Sequence, residues 1–207
     1  MRLCVRYFSA PRARNDYSTH VPILIGLARI REIRNVLELG CGRYSTLTFL
    51  NRTAFPHLER LQSIENDIAW AETINEAVKN DRRWSLTRVA GEIADSVSTL
   101  DLETFDLILI DDSQTATQRA STIHAICSKD PRRAWVVIHD FEVDEYRRSA
   151  SGFRQKYTFK VYNPWTGLVW NSVTEACRAK SLDRVLKDHA KTLEPDDLDG
   201  WINAFST

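Results

Sequence analysis

The residues best placed for chemistry in this 207-residue chain are carboxylates, glycines and a histidine that follow short apolar runs. Glu38-Leu39-Gly40-Cys41-Gly42-Arg43-Tyr44-Ser45 closes one such run with two glycines, which let the backbone turn sharply and a ligand approach it closely. Glu65 stands at the end of the next run, Arg60 to Ile64. A carboxylate there can accept from both hydroxyls of a ribose, so a nucleoside is the expected ligand. Two kinds fit: a dinucleotide with its pyrophosphate on a helix N-terminus, or S-adenosylmethionine, which carries an ammonium and a sulfonium and no phosphate. Glu38 favours the second, because it repels a pyrophosphate and attracts a cationic amino-acid end, although it could also just hydrogen-bond the loop.

Further along, Asp111-Asp112 and His139-Asp140 follow two more apolar runs. His139 is the best-placed general base, since an imidazole titrates near 6.5 when unperturbed. Asp140 and Asp111 are its candidate companions. The plainer uses are that His139 bonds a neighbouring loop and that Asp111 and Asp112 cap a helix beginning near Thr115. Cys41 reads as a small filler and not a nucleophile. His20, His57, His124 and His189 show no paired ligand spacing and read as structural or exposed.

Positioning these groups requires a parallel sheet. Strands are expected at 36–39, 60–64, 85–89, 107–110, 135–138, 159–162 and 168–170, with helices at 45–51, 67–79, 93–100 and 115–127 between the first five. Asn163-Pro164-Trp165-Thr166-Gly167 is too short for a crossover helix, so the last two strands should form an antiparallel hairpin. The fold class expected is α/β, a Rossmann-like, doubly wound, seven-stranded sheet in three layers. An apolar stripe through Ile23, Leu27, Ile30 and Ile33 predicts a helix over 19–33 with Ser18 or Thr19 as its N-cap, and another helix is expected over 173–189. The whole chain reads as a single domain: an N-terminal helical extension (1–34), a nucleoside-binding core (35–172) and a C-terminal helical extension (173–207).

Val36-Leu37-Glu38-Leu39-Gly40-Cys41-Gly42 resembles the first motif of class I S-adenosylmethionine-dependent methyltransferases, and Ser63-Ile64-Glu65-Asn66-Asp67 resembles their second. Ala90-Gly91-Glu92 stands where that family lines the adenine ring, and Phe105-Asp106-Leu107-Ile108-Leu109-Ile110-Asp111-Asp112 resembles its fourth-strand motif. Gly42-Arg43-Tyr44-Ser45-Thr46, Ile64-Glu65-Asn66-Asp67 and Val137-Ile138-His139-Asp140-Phe141 are similar to a branch of small-molecule O-methyltransferases related to those acting on sugars of natural products. The resemblance implies S-adenosylmethionine as cofactor, held by Glu38, Gly40, Cys41, Gly42, Ser45, Glu65, Asn66, Gly91, Glu92, Asp111 and Asp112. It implies methyl transfer to a small-molecule acceptor, at a hydroxyl oxygen, with His139, Asp140 and Asp111 catalytic. Metal-dependent relatives suggest Mg2+ between Asp111 and Asp140, with the remaining ligands missing from the pattern. Tyr44 replaces a third glycine of the turn.

Composition sets the outer limits. The chain balances 28 Lys+Arg against 28 Asp+Glu, so no global field points to nucleic acid or an anionic membrane. At 43% apolar and 27% charged residues it has the make-up of a folded globular protein. Arg2, Arg6, Arg12, Arg14, Arg29, Arg31 and Arg34 crowd the N-terminal extension, which keeps open an RNA or protein methyltransferase; a non-catalytic binding module of the same fold is the other alternative. Four single cysteines and no signal or membrane segment point to the cytoplasm. The oligomeric state stays open, a dimer included.

Overall fold

The computed structural model describes residues 16–113, 115–172 and 184–185. The apolar runs form β1 (Asn35–Leu39), β2 (Arg60–Glu65), β3 (Trp84–Arg88), β4 (Leu107–Ile110), β5 (Trp135–Ile138), β6 (Gln155–Phe159) and β7 (Thr166–Trp170). They join into one seven-stranded sheet in the order β3-β2-β1-β4-β5-β7-β6. The first five strands are parallel, whereas β7 runs antiparallel to both β5 and β6. The doubly wound sheet and its closing hairpin are therefore as expected. Strand order reverses between β1 and β4, and such a switch point opens a crevice at the carboxyl ends of the strands.

The helices are α1 (Val21–Ile30), α2 (Arg43–Leu50), α3 (Ile68–Val78), α4 (Ile93–Val97), α5 (Ala116–Ser128) and α6 (Asp144–Ser149). Alternation along the strands divides the core into two layers. Val36, Leu107, Leu109 and Val137 pack with Leu24 and Leu27 of α1 and Phe49 of α2. Leu37, Ile108, Ile110 and Val136 pack on the opposite face with Ile93 of α4 and Ile123 and Ile126 of α5. Nearly continuous apolar strands are what burial on both faces demands.

Several boundaries differ from expectation, and α4 stops at Val97, short of the expected 100. Helix α1 begins at Val21, with His20 as N-cap and no side-chain cap bond, because the Thr19 hydroxyl is turned to His139 instead. Strand β6 lies at Gln155–Phe159 and not at 159–162, since its register runs from Gln155 opposite Trp170 to Phe159 opposite Thr166. Tyr162 is buried in the connection that follows. Helix α6 and a 3-10 turn at Ala150–Gly152 were not expected, their polar sequence giving no apolar stripe. Of the expected helix over 173–189 only Arg184 and Val185 are described, and both are helical; the basic segment 1–15, Cys4, Cys177 and His189 fall outside the described residues. Among the described residues no helix is long and apolar enough to cross a membrane.

Candidate active site

The turn after β1 uses its two glycines differently. Gly40 has φ +85°, and a Cβ there would stand 2.4 Å from the Asp111 carbonyl oxygen, so both conformation and space require glycine. Its N–H donates to the Ile64 carbonyl at 2.9 Å, while the Asp111 N–H donates to the Leu39 carbonyl at 2.9 Å, tying the ends of β1, β2 and β4 together. Gly42 caps α2 in extended backbone and donates to Thr46 Oγ1 at 3.1 Å.

Glu65, 5% exposed, clamps this turn from β2. Its Oε2 accepts the Cys41 N–H at 3.0 Å, and its Oε1 accepts the N–H groups of Asn66 and Asp67 at 2.8 Å each. A carboxylate has about four acceptor positions, and the one left by these three N–H groups is met only by the Cys41 thiol, a weak donor that a stronger one can displace. Asn66 reaches across to donate to the Gly91 carbonyl at 3.3 Å, and Gly91 and Glu92 lie exposed at the start of α4. Beside them Ile68 and Trp70 are 61% and 42% exposed, and the Trp70 indole N–H donates to the Cys41 carbonyl at 2.7 Å. Sequence reasoning missed these two exposed apolar residues. Their signal was two large apolar side chains in the first turn of α3, one on either flank of the buried stripe Ala71, Ile74 and Val78.

Glu38 and Ser45, expected at the ligand, sit beneath the turn at 0% and 2% exposure. Glu38 accepts from Thr46 Oγ1 at 2.9 Å and from Ser63 Oγ at 2.5 Å. Burial pushes its carboxyl up to about 7, against the opposing pull of Ser45, Ser63 and Thr46. Burial also raises the Cys41 thiol, consistent with a filler.

A second group gathers at the ends of β4 and β5. His139 is 3% exposed. Its Nδ1 lies 3.1 Å from Asp111 Oδ1, and its Nε2 lies 2.8 Å from Thr19 Oγ1. Arg119 of α5, which the sequence did not single out, spans the two acids, with Nη1 2.6 Å from Asp140 Oδ2 and Nη2 3.1 Å from Asp111 Oδ1. It also donates from Nε to the Asp112 carbonyl at 2.7 Å and from Nη2 to the Ser113 carbonyl at 3.1 Å. Ser113 and Asp140 both have left-handed backbone, at φ +54° and +56°, a strain that concentrates where surroundings fix a functional geometry. Asp112 points away and accepts from Thr122 Oγ1 at 2.5 Å, burial pushing its carboxyl up to about 7. Thr115 is the N-cap of α5, so neither aspartate caps that helix.

Burial would lower the His139 pKa, but the charge and hydrogen bond of Asp111 outweigh it and raise it. Burial would likewise raise Asp111, but the charge and hydrogen bond of His139, with Arg119 beside it, hold its carboxyl at about 2. The pair thus favours imidazolium beside carboxylate. His20, which the sequence placed among structural or exposed histidines, is buried against His139 with ring centroids 4.9 Å apart. Burial and the neighbouring His139 push it down to about 3, so it is neutral. Mg2+ does not fit between Asp111 and Asp140, because a guanidinium bridges them and the adjoining donors are imidazoles, whereas the ion demands about six oxygen ligands.

No protein-family model matches the chain, and no curated protein matches it. Among solved structures, the SAH-bound methyltransferase PaMTH1 of Podospora anserina superposes with TM-score 0.55 at 16% identity, over 71% of this chain and 75% of that one. An O-methyltransferase family protein from Burkholderia thailandensis gives 0.53 at 14% identity, over 74% of this chain and 55% of that one. The precorrin-6y C5,15-methyltransferase of Geobacter metallireducens gives 0.51 at 13% identity, over 73% and 87%. The chain has the class I methyltransferase fold. Within that fold the glycine turn and Glu65 occupy the switch point, and the His139 group lies on the β4–β5 side of it.

Proposed function

We propose that the chain is an S-adenosylmethionine-dependent methyltransferase acting on a hydroxyl oxygen of a small-molecule acceptor. The observation that carries this reading is the Glu65 clamp on the Gly40-Cys41-Gly42 turn at the switch point, with Ile68 and Trp70 exposed beside it. The remaining acceptor position of Glu65 suits a ribose hydroxyl, Ile68 and Trp70 suit an adenine face next to Gly91 and Glu92, and Asn66 joins the two loops. Glu38 and Ser45 act from below by shaping the turn. Asp111, at the end of β4, completes the wall of the crevice, with the Asp112 side chain buried behind it. The SAH-bound state of the Podospora anserina neighbour supports a cofactor of this kind.

When bound, the cofactor supplies a methyl group on a positively charged sulfur. The protein then has to align an acceptor oxygen and remove its proton. The neutral form of His139 does this in the metal-free protein, with Asp111 orienting the ring and stabilising the imidazolium that results, and Arg119 holding Asp140 alongside. The raised pKa of His139 makes it a stronger base and confines its action to the alkaline side of that pKa. The Thr19 hydroxyl, 2.8 Å from Nε2, stands where an acceptor hydroxyl would bind. Residues 35–172 form the cofactor-binding core of a single domain, and the free thiols Cys41 and Cys127 fit the reducing cytoplasm.

Calorimetry with S-adenosylhomocysteine tests the reading directly. Absence of binding to folded protein at millimolar ligand rejects it. Product formation across a panel of hydroxylated acceptors then separates transfer from mere cofactor binding.

A further inference from the structure

His20 closes the β4–β5 group from the residue before α1, 1% exposed, and among the described residues neither of its ring nitrogens has a hydrogen-bond partner. Buried polar atoms in folded proteins nearly all have partners, and a histidine lacking both is an exception that calls for a ligand. We propose that His20, Asp111 and His139 form a binding site for a divalent transition-metal ion of the zinc or iron type.

The geometry supports this. One ring nitrogen of each histidine and one oxygen of Asp111 all lie within 4.8 Å of one another. His139 Nδ1 is 3.1 Å from Asp111 Oδ1, and His20 Nδ1 is 3.9 Å from Asp111 Oδ2. Two ligands of one ion at bond lengths of about 2.0–2.1 Å stand about 3.0–3.4 Å apart. His139 meets Oδ1 and His20 faces Oδ2, so a turn of the Asp111 carboxylate that offers one oxygen to both rings, or both oxygens to the ion, closes the set. The ion would take the place of the proton that His139 and Asp111 now share. Two imidazoles and one carboxylate are the donors of zinc and non-haem iron sites, and nitrogen ligands disfavour magnesium and calcium.

The surroundings are those of such a site. Asp111 carries its ionic contact with Arg119 on Oδ1, leaving Oδ2 toward His20. Thr19 Oγ1 on His139 Nε2 fixes that ring from the far side, in the manner of the outer partners of metal-bound histidines. The Arg119 charge opposes any cation nearby and lowers affinity, which again favours ions bound strongly by nitrogen over a hard ion. In the loaded protein His139 is a ligand and its role as base lapses. The inference otherwise stands apart from methyl transfer, since metal binding is read without substrate.

The test uses the full chain, stripped with EDTA and titrated with Co2+. The expected result is uptake of one equivalent with visible ligand-field absorption, displaced by Zn2+ and unaffected by a hundredfold excess of Mg2+. His20→Ala should weaken Co2+ binding about 100-fold or more, whereas His124→Ala, at an exposed histidine of α5 outside the ligand set, should change it less than about threefold. No uptake, equal uptake by His20→Ala, or displacement by Mg2+ overturns the proposal. Should His20→Ala fail to fold, His20→Gln and the Zn2+-induced rise in melting temperature of the unaltered chain provide the same decision. S-adenosylhomocysteine binding without Co2+ uptake removes the metal site alone; Co2+ uptake without S-adenosylhomocysteine binding removes the methyltransferase reading alone.

Discussion

The Cys41 amide donates to the Glu65 carboxylate across 3.0 Å, so that the end of β2 holds the turn that follows β1. Glu65 therefore serves the fold as well as any ligand. Glu65→Gln replaces one acceptor oxygen with an NH2 group that must face an N–H donor. We expect a loss of about 1–3 kcal/mol in urea unfolding, and S-adenosylhomocysteine affinity down by about tenfold or more in calorimetry. A variant as stable and as tight-binding as the parent would remove both roles.

The two glycines of the turn should respond differently to the same change. Gly40→Ala places a methyl 2.4 Å from a backbone oxygen at φ +85°, and should cost about 3 kcal/mol or more. Gly42→Ala meets only Ser45 Oγ, at 3.1 Å, in an extended conformation any residue adopts, and should cost less than about 1 kcal/mol. Thermal unfolding of the two variants side by side decides the matter; equal losses would contradict the assignment.

Glu38 makes stability depend on pH. Its carboxyl has an ordinary value of 4.5 and titrates at about 7 in the folded chain, because burial disfavours the charged form. The folded state therefore holds its proton more tightly than the unfolded state. That contribution is fully present below about 4.5 and is lost as pH rises through about 7. Glu38→Gln should cancel it. Relative to the parent, the variant should gain about 1–3 kcal/mol in urea-derived stability between about pH 4.5 and about pH 8, and a flat difference would refute the burial argument.

Arg119 separates two carboxylates with a single guanidinium. In Arg119→Met, Asp111 and Asp140 keep their positions beside each other but lose the charge between them, and the Asp112 and Ser113 carbonyls lose their donor. We expect a loss of about 3 kcal/mol, measured by urea unfolding at neutral pH. The loss should shrink at low pH as the acids protonate. A change no larger than that of an ordinary surface substitution, about 0.5 kcal/mol, would show that the bridge contributes nothing.

The cofactor half of the crevice was largely legible because it is local. Val36-Leu37-Glu38-Leu39-Gly40-Cys41-Gly42 writes strand, turn and helix start in one stretch, and Glu65 ends the next strand. What remained unread depended on distant contacts. His20 meets His139 from far away in the sequence, and Arg119, the one Lys, Arg, Asp or Glu of α5, lies on a helix whose sequence does not say which loops it reaches. Lys156-Tyr157-Thr158-Phe159-Lys160-Val161 alternates past the end of the strand, so its pattern could not say where β6 ends; pairing with β7 decides that. Glu38 shows the same limit in the other direction. Its position pointed to the ligand, but strand alternation turns it under the loop, among Thr46 and Ser63.

The contact between Thr19 and His139 has an architectural consequence. One half of the crevice is built by a continuous stretch of chain, while the other is finished by residues that precede the first strand. Changes confined to residues 16–34 can therefore redraw the far half without disturbing a single hydrogen bond of the Glu65 clamp. The two halves are free to diversify separately.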